Sequence, residues 1–436
     1  MVKVVKFGGS SLANANQFKK VAEIVRSDSA RRYVVPSAPG KRFGADIKVT
    51  DMLYACYDAI GEGANAEEEF RPIVERFDGI ISALNLELDL ETEYGTIVRN
   101  FKARAGRDYA ASRGEYLCGI VLAKFLGFHF IDAARGVKFY PNGEFDADLT
   151  EASLQVLLDK HGKAVIPGFY GAKPNGEIKT FSRGGSDVTG SLVAKAVRAA
   201  LYENWTDVPG VLLADPRIVD NPKVIKTLTY RELRELSYMG ATVLHESAIF
   251  PVRTAKIPIN IRNTNTPTLP GTMIVPQTDD NPTLLTGIAG KKGFAVINLE
   301  KDEMNNEIGF LRRILTLFEA EGINFEHIPS GIDTLSVIIS GDDYKSRPGL
   351  IDRITKVARP DRLSVEHDLA LVAIVGRGMR ERRGTATRVF ASLAHAGVNI
   401  KMIDQGSSEL NIIVGIKNDD FEKAIRAVYD TFALSE

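Results

Sequence analysis

The sequence predicts an α/β protein in which a domain with a mainly parallel sheet is followed by a smaller, duplicated module. Residues 1 to about 278 alternate short apolar runs with stretches of helical periodicity, which is the pattern of an α/β domain. An interval rich in proline and glycine, residues 267–282, then indicates a domain boundary. Beyond it the chain repeats itself at an offset of 75 residues, as in Gly322-Ile323-Asn324 and Gly397-Val398-Asn399.

Five apolar runs in the first part are bounded by glycine, proline or charge and are predicted to be strands: 2–7, 33–35, 128–131, 164–166 and 257–261. Between them, apolar residues spaced by three or four predict helices, as at Phe18, Val21, Ile24 and Val25. The charged stretch 62–104 is long and irregular, and we expect it to be a lid or a helical insertion that faces a dimer partner.

Each copy of the repeat follows the order strand, helix, strand, strand, helix, with leading strands at 294–299 and 370–375. The first copy closes with a strand at 362–366, whereas the second ends on a helix at 420–432. The apolar stretch 284–289 is available to cover the open sheet edge of the second copy. We therefore predict that the second module is discontinuous in sequence.

Composition excludes several classes of partner. The 436 residues carry 55 Lys and Arg against 56 Asp and Glu, a net charge of −1, so no excess of positive charge points to nucleic acid or an anionic membrane. The longest apolar runs are strand-sized, and only Cys56 and Cys118 are present. With no secretory signal before Gly8 and Gly9, we expect a cytoplasmic protein without a nucleic acid or membrane partner.

The segment Lys6-Phe7-Gly8-Gly9-Ser10-Ser11 follows directly on the first predicted strand. Two consecutive glycines let the backbone approach a ligand closely, and the following hydroxyls and helix N-terminus present donors to an anion. Lys6 adds a positive charge. Taken alone, a Gly-Gly-Ser segment after a strand is most often only a turn, so its interpretation as a phosphate cradle depends on other motifs.

Three further clusters contain charged or polar side chains that could bind a ligand. The glycine-rich loop Phe181-Ser182-Arg183-Gly184-Gly185-Ser186-Asp187 offers a guanidinium for a carboxylate or phosphate and a carboxylate for an ammonium group, although a solvated Arg-Asp pair is the alternative. Trp205-Thr206-Asp207-Val208-Pro209-Gly210 and Asp215-Pro216-Arg217 form a charged loop region. Ser112-Arg113-Gly114-Glu115 opens a helix.

In this order the four clusters resemble the aspartate kinases of the amino-acid kinase family, and the duplicated module resembles their paired ACT regulatory domains. The resemblance covers nearly the whole chain. It implies an amino-acid kinase fold, a three-layer α/β/α domain with a mainly parallel sheet, followed by two ferredoxin-like βαββαβ ACT modules. The corresponding domains are residues 1–280, 292–367, and 284–291 plus 368–436.

The resemblance implies transfer of the ATP γ-phosphoryl group to the side-chain carboxylate of L-aspartate, the first step toward lysine, threonine and methionine. Because that carboxylate is ionised at neutral pH, no general base is needed, and charge neutralisation dominates. ATP and Mg²⁺ are the implied cofactors, without any assigned metal-binding side chain. The implied ATP-binding residues are Lys6, Gly8, Gly9, Ser10, Thr206, Asp207 and Arg217.

For L-aspartate, the family pattern places Arg183 on a substrate carboxylate, with Glu115 and Asp187 near the α-ammonium group. Thr50, Phe169 and Ser186 occupy the remaining substrate positions. Lys6 and Asp187 are the implied catalytic residues, since Asp187 also orients Lys6.

The chain departs from the family pattern at two positions. Many relatives carry a lysine where Thr242 stands, so Arg217, Lys256 or a metal ion would have to supply that charge. Several relatives carry a tyrosine on the nucleotide side where Leu212 stands. The chain also ends before any region that would correspond to a fused homoserine dehydrogenase.

ACT-like modules imply feedback control by an amino acid bound where modules meet. The implied effector residues are Met304, Asn305, Ser330 and Asp333, with Asp333 receiving an ammonium group; a helix start and a hairpin turn are the alternative reading of these residues. L-Lysine is the preferred effector and L-threonine the second. A homodimer through the ACT modules is expected, with a tetramer as the further possibility.

Two other functions remain open from the sequence. A glutamate or acetylglutamate kinase of the same family would share the phosphate loops. An amino-acid-sensing regulator with an inactive kinase domain would fit the loss of a lysine at Thr242, although Lys6, Arg183 and Asp187 are retained.

Overall fold

The structure, a computed structural model, describes residues 1–182, 184–241, 244, 246–278, 284–380 and 382–433. It divides into two compact units. The first comprises Met1–Val211, Val224–Tyr230 and Thr242–Thr278, and the second comprises Leu212–Lys223, Arg231–Ala241 and Asp279–Glu436. The second unit therefore includes two segments that the sequence-derived boundary at 280 assigns to the first domain.

The first unit is built on an eight-stranded sheet whose strand order is β10-β12-β11-β9-β1-β2-β6-β3. All neighbouring pairs in it are parallel except β11 with β12. Its strands are β1 (Lys3–Phe7), β2 (Arg31–Pro36), β3 (His129–Phe130), β6 (Ala164–Val165), β9 (Leu201–Thr206), β10 (Thr227–Thr229), β11 (Ile259–Asn263) and β12 (Thr272–Val275). The predicted strand at 257–261 thus begins and ends two residues later, at Ile259 and Asn263.

A second, four-stranded sheet in the same unit has the order β5-β4-β7-β8. Its strands are β4 (Lys138–Phe139), β5 (Phe145–Asp146), β7 (Tyr170–Ala172) and β8 (Ile178–Thr180). The sequence did not predict these short strands. The last of them leads directly into the second glycine-rich loop.

The helices of the first unit surround the large sheet. They are α1 (Ala15–Arg26), α2 (Val49–Gly61), α3 (Ala66–Ala83), α4 (Glu91–Lys102), α5 (Arg107–Leu126), α6 (Ala133–Gly136), α7 (Ala147–Asp159), α8 (Gly185–Ala196) and α10 (Glu246–Thr254). Because side chains alternate along a strand, Val5 and Phe7 of β1 point into the core formed with α1 to α5, while Lys6 points toward α8. Helices thus cover both faces of the sheet, as the three-layer prediction requires.

The stretch 62–104 is mostly helical, in agreement with the helical insertion rather than the lid, and its contact with a dimer partner stays a prediction. It forms α3 and α4, whose apolar faces are part of the main core of the first unit through Phe70, Ile73, Phe77, Tyr94 and Phe101. The charged residues of the stretch lie on the outer faces of amphipathic helices, and this explains the irregular appearance of the sequence.

The second unit contains a six-stranded antiparallel sheet of order β14-β15-β13-β16-β18-β17. Its strands are β13 (Gly287–Glu300), β14 (Phe325–His327), β15 (Thr334–Ser340), β16 (Arg362–Val375), β17 (Met402–Asp404) and β18 (Asn411–Lys417). Its helices are α9 (Tyr230–Tyr238), α11 (Phe310–Ala320), α12 (Gly341–Lys345), α13 (Leu350–Ala358), α14 (Thr385–His395) and α15 (Phe421–Ala433).

Two long strands join the repeated modules. Residues 287–289 of the segment predicted to cover the second module, and the leading strand of the first module, are both parts of β13. The closing strand of the first module and the leading strand of the second are both parts of β16. In the register, Gly287 faces Val375 and Glu300 faces Arg362. The first half of β13 therefore lies on the second module, and this pairing supports a discontinuous second module.

Among the described residues, no helix is both long and apolar enough to cross a membrane.

Candidate active site

The candidate site lies where the parallel strands of the large sheet end. The chain moves outward from β1 through β2 toward β3 on one side, and from β9 to β11 on the other side. The point where the strand order reverses is thus between β1 and β9, and in open α/β sheets ligands bind outside the carboxyl ends of strands at this point. Lys6 faces Asn204 in the register of these two strands.

Lys6 is the centre of a polar network. Its ammonium Nζ lies 2.7 Å from Asp187 Oδ1 and 3.4 Å from Asn204 Oδ1, and Asn204 Nδ2 donates to Asp187 Oδ1 at 2.7 Å. Lys6 is only 8% exposed, so the carboxylate of Asp187 compensates a charge that is largely removed from water. The sequence predicted Lys6 and Asp187 but missed Asn204, whose role depends on the pairing of β9 with β1.

The glycine turn after β1 is held by its neighbours. The amide of Gly8 donates to the carbonyl oxygen of Trp205 at 3.0 Å, and Gly9–Leu12, including Ser10, form a 3₁₀ turn. A Cβ atom on Gly9 would lie 2.8 Å from the carbonyl oxygen of Ala38. Only glycine fits this approach, so the turn brings backbone amides next to Lys6, as a phosphate cradle requires.

Thr206 and Asp207 follow at the carboxyl end of β9, beside the glycine turn. The hydroxyl of Thr206 donates to Asp207 Oδ1 at 3.2 Å, and the carbonyl oxygen of Asp207 accepts from Asn263 Nδ2 at 3.1 Å. Asp207 is exposed. Its side chain is therefore accessible to a ligand at this edge of the sheet.

Glu115 is a buried carboxyl group on α5. It is 6% exposed, and its Oε2 has no hydrogen-bond partner among the described residues. Burial raises the pKa of Glu115 to about 8, against smaller lowering by the backbone amide of Ala38 and the charge of Arg113. A Cβ atom on Gly114 would lie 2.7 Å from Cβ of Ala38, so this glycine lets α5 approach the turn after β2.

Phe169 and Ser186 meet across two glycines. Phe169 follows β6 with φ of 82°, a left-handed conformation that is unusual for a bulky residue. A Cβ atom on Gly185 would lie 2.4 Å from the ring of Phe169, and one on Gly168 would lie 2.5 Å from the side chain of Ser186. The N-terminus of α8, which carries Ser186 and Asp187, therefore packs closely on the turn after β6.

Thr50 is the second residue of α2 and is half-buried. The amide of its neighbour Val49 donates to the carbonyl oxygen of Pro39 at 3.2 Å, which attaches the helix to the turn after β2. The same turn contacts Gly9 and Glu115. Nine predicted residues of the first unit thus belong to one connected set of turns and helix segments: Lys6, Gly8, Gly9, Ser10, Thr50, Glu115, Phe169, Ser186 and Asp187. Thr206 and Asp207 lie beside this set, at the end of β9.

Two predicted site residues, Arg183 and Arg217, and the variant position Thr242 are not placed in this set. Arg183 and Thr242 lie outside the described residues. Arg217 belongs to the second unit, where its exposed guanidinium pairs with Asp215 at 2.6 Å in the Asp-Pro-Arg turn. Its predicted contact with ATP therefore stays a prediction.

The predicted effector residues come together in the second unit. The carboxylate oxygen Oδ1 of Asp333 accepts from the amide of Glu303 at 3.0 Å, and its carbonyl oxygen accepts from the amide of Lys301 at 2.8 Å. The amide of Asn305 donates to Ile332 O at 3.1 Å, while Met304 is buried beside it. Ser330 bridges to Leu335 at the start of the same hairpin.

Known proteins resemble the chain over its full length. The model of the Amino acid kinase family matches residues 1–263, and a model of the ACT domain matches residues 372–432. Aspartokinase 3 of Bacillus subtilis (strain 168) is 40% identical, over 99% of this chain and 98% of the relative.

Solved structures show the same similarity. The crystal structure of Clostridium acetobutylicum aspartate kinase superposes with a TM-score of 0.90 at 50% identity, over 99% of this chain and 100% of that one. E. coli aspartokinase III in complex with aspartate and ADP gives a TM-score of 0.77 at 25% identity, with coverage of 99% and 100%. The same enzyme in complex with lysine and aspartate gives 0.71 at 26% identity, with coverage of 99% of each chain.

Proposed function

The chain belongs to the aspartokinases of the amino acid kinase family, and we propose that it transfers the γ-phosphoryl group of ATP to the side-chain carboxylate of L-aspartate, giving 4-phospho-L-aspartate and ADP. The observation that carries this proposal is the ammonium of Lys6, held 2.7 Å from Asp187 beside the glycine turn at the carboxyl edge of the sheet. E. coli aspartokinase III, solved with aspartate and ADP, supports the same pair of ligands here.

The reaction needs charge neutralisation more than proton transfer. A carboxylate oxygen of aspartate forms a bond to the γ-phosphorus, and the bond from that phosphorus to the bridging oxygen of ADP breaks. Because the attacking carboxylate has an ordinary pKa near 4, it is ionised at neutral pH and needs no base. Lys6 and the amides of Gly8 and Gly9 would neutralise the phosphate oxygens, where negative charge accumulates.

Asp187 and Asn204 fix the position of the Lys6 ammonium. A lysine on a flexible four-carbon chain is otherwise free to move, and its orientation by two acceptors reduces the reorganisation that the reaction requires. Asp187 has a second role in the proposal, near the α-ammonium group of the substrate. Thr206, Asp207, Ser10 and Arg217 are proposed on the nucleotide side.

The amino-acid subsite is proposed around Glu115, with Thr50, Phe169, Ser186 and Arg183. Glu115 Oε2 is buried and lacks a partner among the described side chains, so it is prepared to accept from an ammonium group. Arg183 would bind a carboxylate of aspartate through two parallel hydrogen bonds from its guanidinium.

Mg²⁺ is proposed to arrive with ATP. No group of three or more His, Cys, Asp and Glu side chains suited to a metal ion occurs in the described part of the chain. Mg²⁺ commonly keeps several waters and binds through substrate phosphates and one or two carboxylates, so a site without such a cage still fits it. Bound there, it would neutralise phosphate charge together with Lys6, and this is relevant because Thr242 provides no cation.

Regulation is proposed to act through the second unit. E. coli aspartokinase III is solved with lysine, which favours L-lysine as the effector here and leaves L-threonine as the second candidate. Ile308 and Ile332 flank the predicted effector residues and are 97% and 69% exposed, as expected if another copy of the chain covers this region. A homodimer through the ACT modules is therefore part of the proposal.

The experiment that tests this function is an ADP-release assay with a substrate panel. L-Aspartate should support ATP- and Mg²⁺-dependent ADP release, whereas L-glutamate and N-acetyl-L-glutamate should not. Repeating the assay with lysine, threonine and both together identifies the effector. Activity with glutamate alone would instead favour the other amino-acid kinases, and no activity with any acceptor would favour an inactive, amino-acid-sensing regulator.

A further inference from the structure

The loop that follows β2 contacts the glycine turn after β1. Because this turn is proposed to bind the ATP phosphates, it is called the phosphate turn below. The amide of Gly40 donates to the carbonyl oxygen of Gly9 at 2.8 Å, and a Cβ atom on Gly40 would lie 2.7 Å from the carbonyl carbon of Gly9. The two backbones are therefore in direct contact. Any displacement of Gly40 moves the turn that is proposed to hold the ATP phosphates.

Arg76 fixes this loop from the helix α3. Its Nη1 donates to the carbonyl oxygen of Gly40 at 3.2 Å, and its Nη2 donates to Asp46 Oδ2 at 2.8 Å and to the carbonyl oxygen of Ile47 at 3.2 Å. Arg76 is 6% exposed and Asp46 is 9% exposed. One planar guanidinium thus joins both ends of the loop, a geometry that a lysine cannot reproduce.

The helix that carries Arg76 is anchored in the core. Ile73, Phe77 and Ile80 of α3 are buried in the core of the first unit, on either side of Arg76 in the sequence. Core packing therefore sets the position of the Arg76 guanidinium. The hydrogen bonds of this guanidinium in turn fix the loop after β2.

Stability is a poor explanation for this buried pair. Removing two opposite charges from water costs free energy that their attraction only partly returns, and well-packed apolar residues are often equally stable. Arg42 also pairs with Asp46, at 2.9 Å, so the carboxylate keeps a partner without Arg76. Among the described side chains, what Arg76 adds beyond Arg42 is its contact with the carbonyl oxygens of Gly40 and Ile47.

We propose that Arg76 is a positioning residue for the ATP phosphates: its contact with the carbonyl oxygen of Gly40 holds Gly40 against Gly9 and so sets the phosphate turn beside Lys6. This inference rests on the proposed function of that turn. It assigns a role to the stretch 62–104, whose residues do not otherwise take part in the reaction.

The test compares Arg76→Lys and Arg76→Gln with the wild-type chain. Arg76→Lys keeps a positive charge for Asp46 but loses the second hydrogen bond, from the guanidinium to the carbonyl oxygen of Gly40. A displacement of about 1 Å can cost up to about a hundredfold in rate, so we expect kcat/KM for ATP to fall about tenfold or more in both variants. KM for aspartate should change less than KM for ATP.

Two controls separate positioning from stability. Lys102→Ala removes the exposed ion pair with Glu67 on the same pair of helices and should leave ATP kinetics unchanged. Asp46→Asn weakens the buried pair but keeps the Gly40 contact. It should therefore lower the unfolding temperature while kcat/KM for ATP stays close to the wild-type value. If ATP kinetics follow the unfolding temperature across all variants, Arg76 is merely structural and the proposal is overturned.

A binding measurement keeps this inference distinct from the proposed function. Calorimetric titration with Mg-ADP reports on the phosphate turn without catalysis, and we expect weaker binding to Arg76→Lys by about tenfold. If the wild-type chain binds Mg-ADP but releases no ADP with aspartate, the proposed function fails while the role of Arg76 is still tested. Unchanged Mg-ADP affinity in both Arg76 variants would overturn the inference.

Discussion

Lys6 shows how much of the site can be predicted from single residues. A lysine two residues before a Gly-Gly pair at the end of a strand indicates a phosphate site, and the structure places that lysine in a network with Asp187 and Asn204. The sequence alone did not reveal Asn204, since an asparagine inside a strand has no distinctive pattern. Its contact depends on β9 lying beside β1 with Asn204 opposite Lys6.

Glu115, in the proposed amino-acid subsite, has a pKa that burial raises. Because burial raises its pKa to about 8, the folded chain holds the proton more tightly than the unfolded chain, in which the pKa is about 4.3. The contribution of Glu115 to stability is therefore present at low pH and is lost progressively as pH rises through this window to about 8.

We expect Glu115→Gln to become more stable relative to the wild-type chain as pH rises from about 4.3 to about 8, because glutamine removes the cost of ionising a buried carboxyl group. Urea unfolding of both chains without substrate, at several pH values, measures this difference. A difference in the free energy of unfolding that stays constant over the whole range would contradict the raised pKa.

At the scale of elements, the site consists of turns at the carboxyl ends of β1, β2, β6 and β9 with the N-terminus of α8. The alternation of apolar runs and helical periodicity predicted the class of this sheet and several of its strands. It did not predict the four-stranded sheet β5-β4-β7-β8, because strands of two or three residues are too short to show a period. Nor did it identify Gly40, whose close approach to Gly9 exists only in the folded chain.

Gly40→Ala should impair the phosphate turn. The added methyl group would lie 2.7 Å from the carbonyl carbon of Gly9 and 2.9 Å from the amide nitrogen of Ser10, so the backbone must shift. We expect kcat/KM for ATP to fall about tenfold or more. Gly44→Ala in the same loop is the matched control, since its added methyl group contacts nothing within 4 Å. Equal kinetics for the two variants would argue against the Gly9–Gly40 contact.

At the scale of the whole molecule, the 75-residue repeat predicted the duplicated module and its order of elements. The structure adds that the two copies share the long strands β13 and β16, so each strand belongs to both modules. Sequence patterns divided each of these strands in two because a short polar stretch interrupts the apolar run, at Lys291-Lys292-Gly293 and at His367-Asp368. Hydrogen bonding to a neighbouring strand continues the extended conformation across such residues.

The proposed feedback by an amino acid depends on Asp333 of the second unit. Asp333 accepts from the amide of Glu303 through Oδ1, and we expect its other carboxylate oxygen, Oδ2, to accept from the ammonium group of the effector. We expect Asp333→Ala to raise the effector concentration for half-inhibition about tenfold or more, by loss of a charge-assisted hydrogen bond to an ammonium group, while activity without effector stays unchanged.

The control for Asp333→Ala is Ser408→Ala, at the equivalent position of the second module, 75 residues further along the chain. Inhibition curves with lysine and with threonine should be unchanged in this control. Full inhibition of Asp333→Ala by either amino acid at wild-type concentrations would exclude Asp333 from the effector site.

The most direct measurement of the central claim is aspartate-dependent ADP release by Lys6→Ala, with Lys3→Ala as its control. Both lysines lie on β1, but Lys3 pairs with Asp28 away from the site. Loss of a preorganised charge at the transferred phosphoryl group typically costs about a hundredfold to a thousandfold in kcat. The account predicts such a loss for Lys6→Ala in a folded protein and near wild-type kcat for Lys3→Ala. A Lys6→Ala variant with wild-type kcat would contradict it.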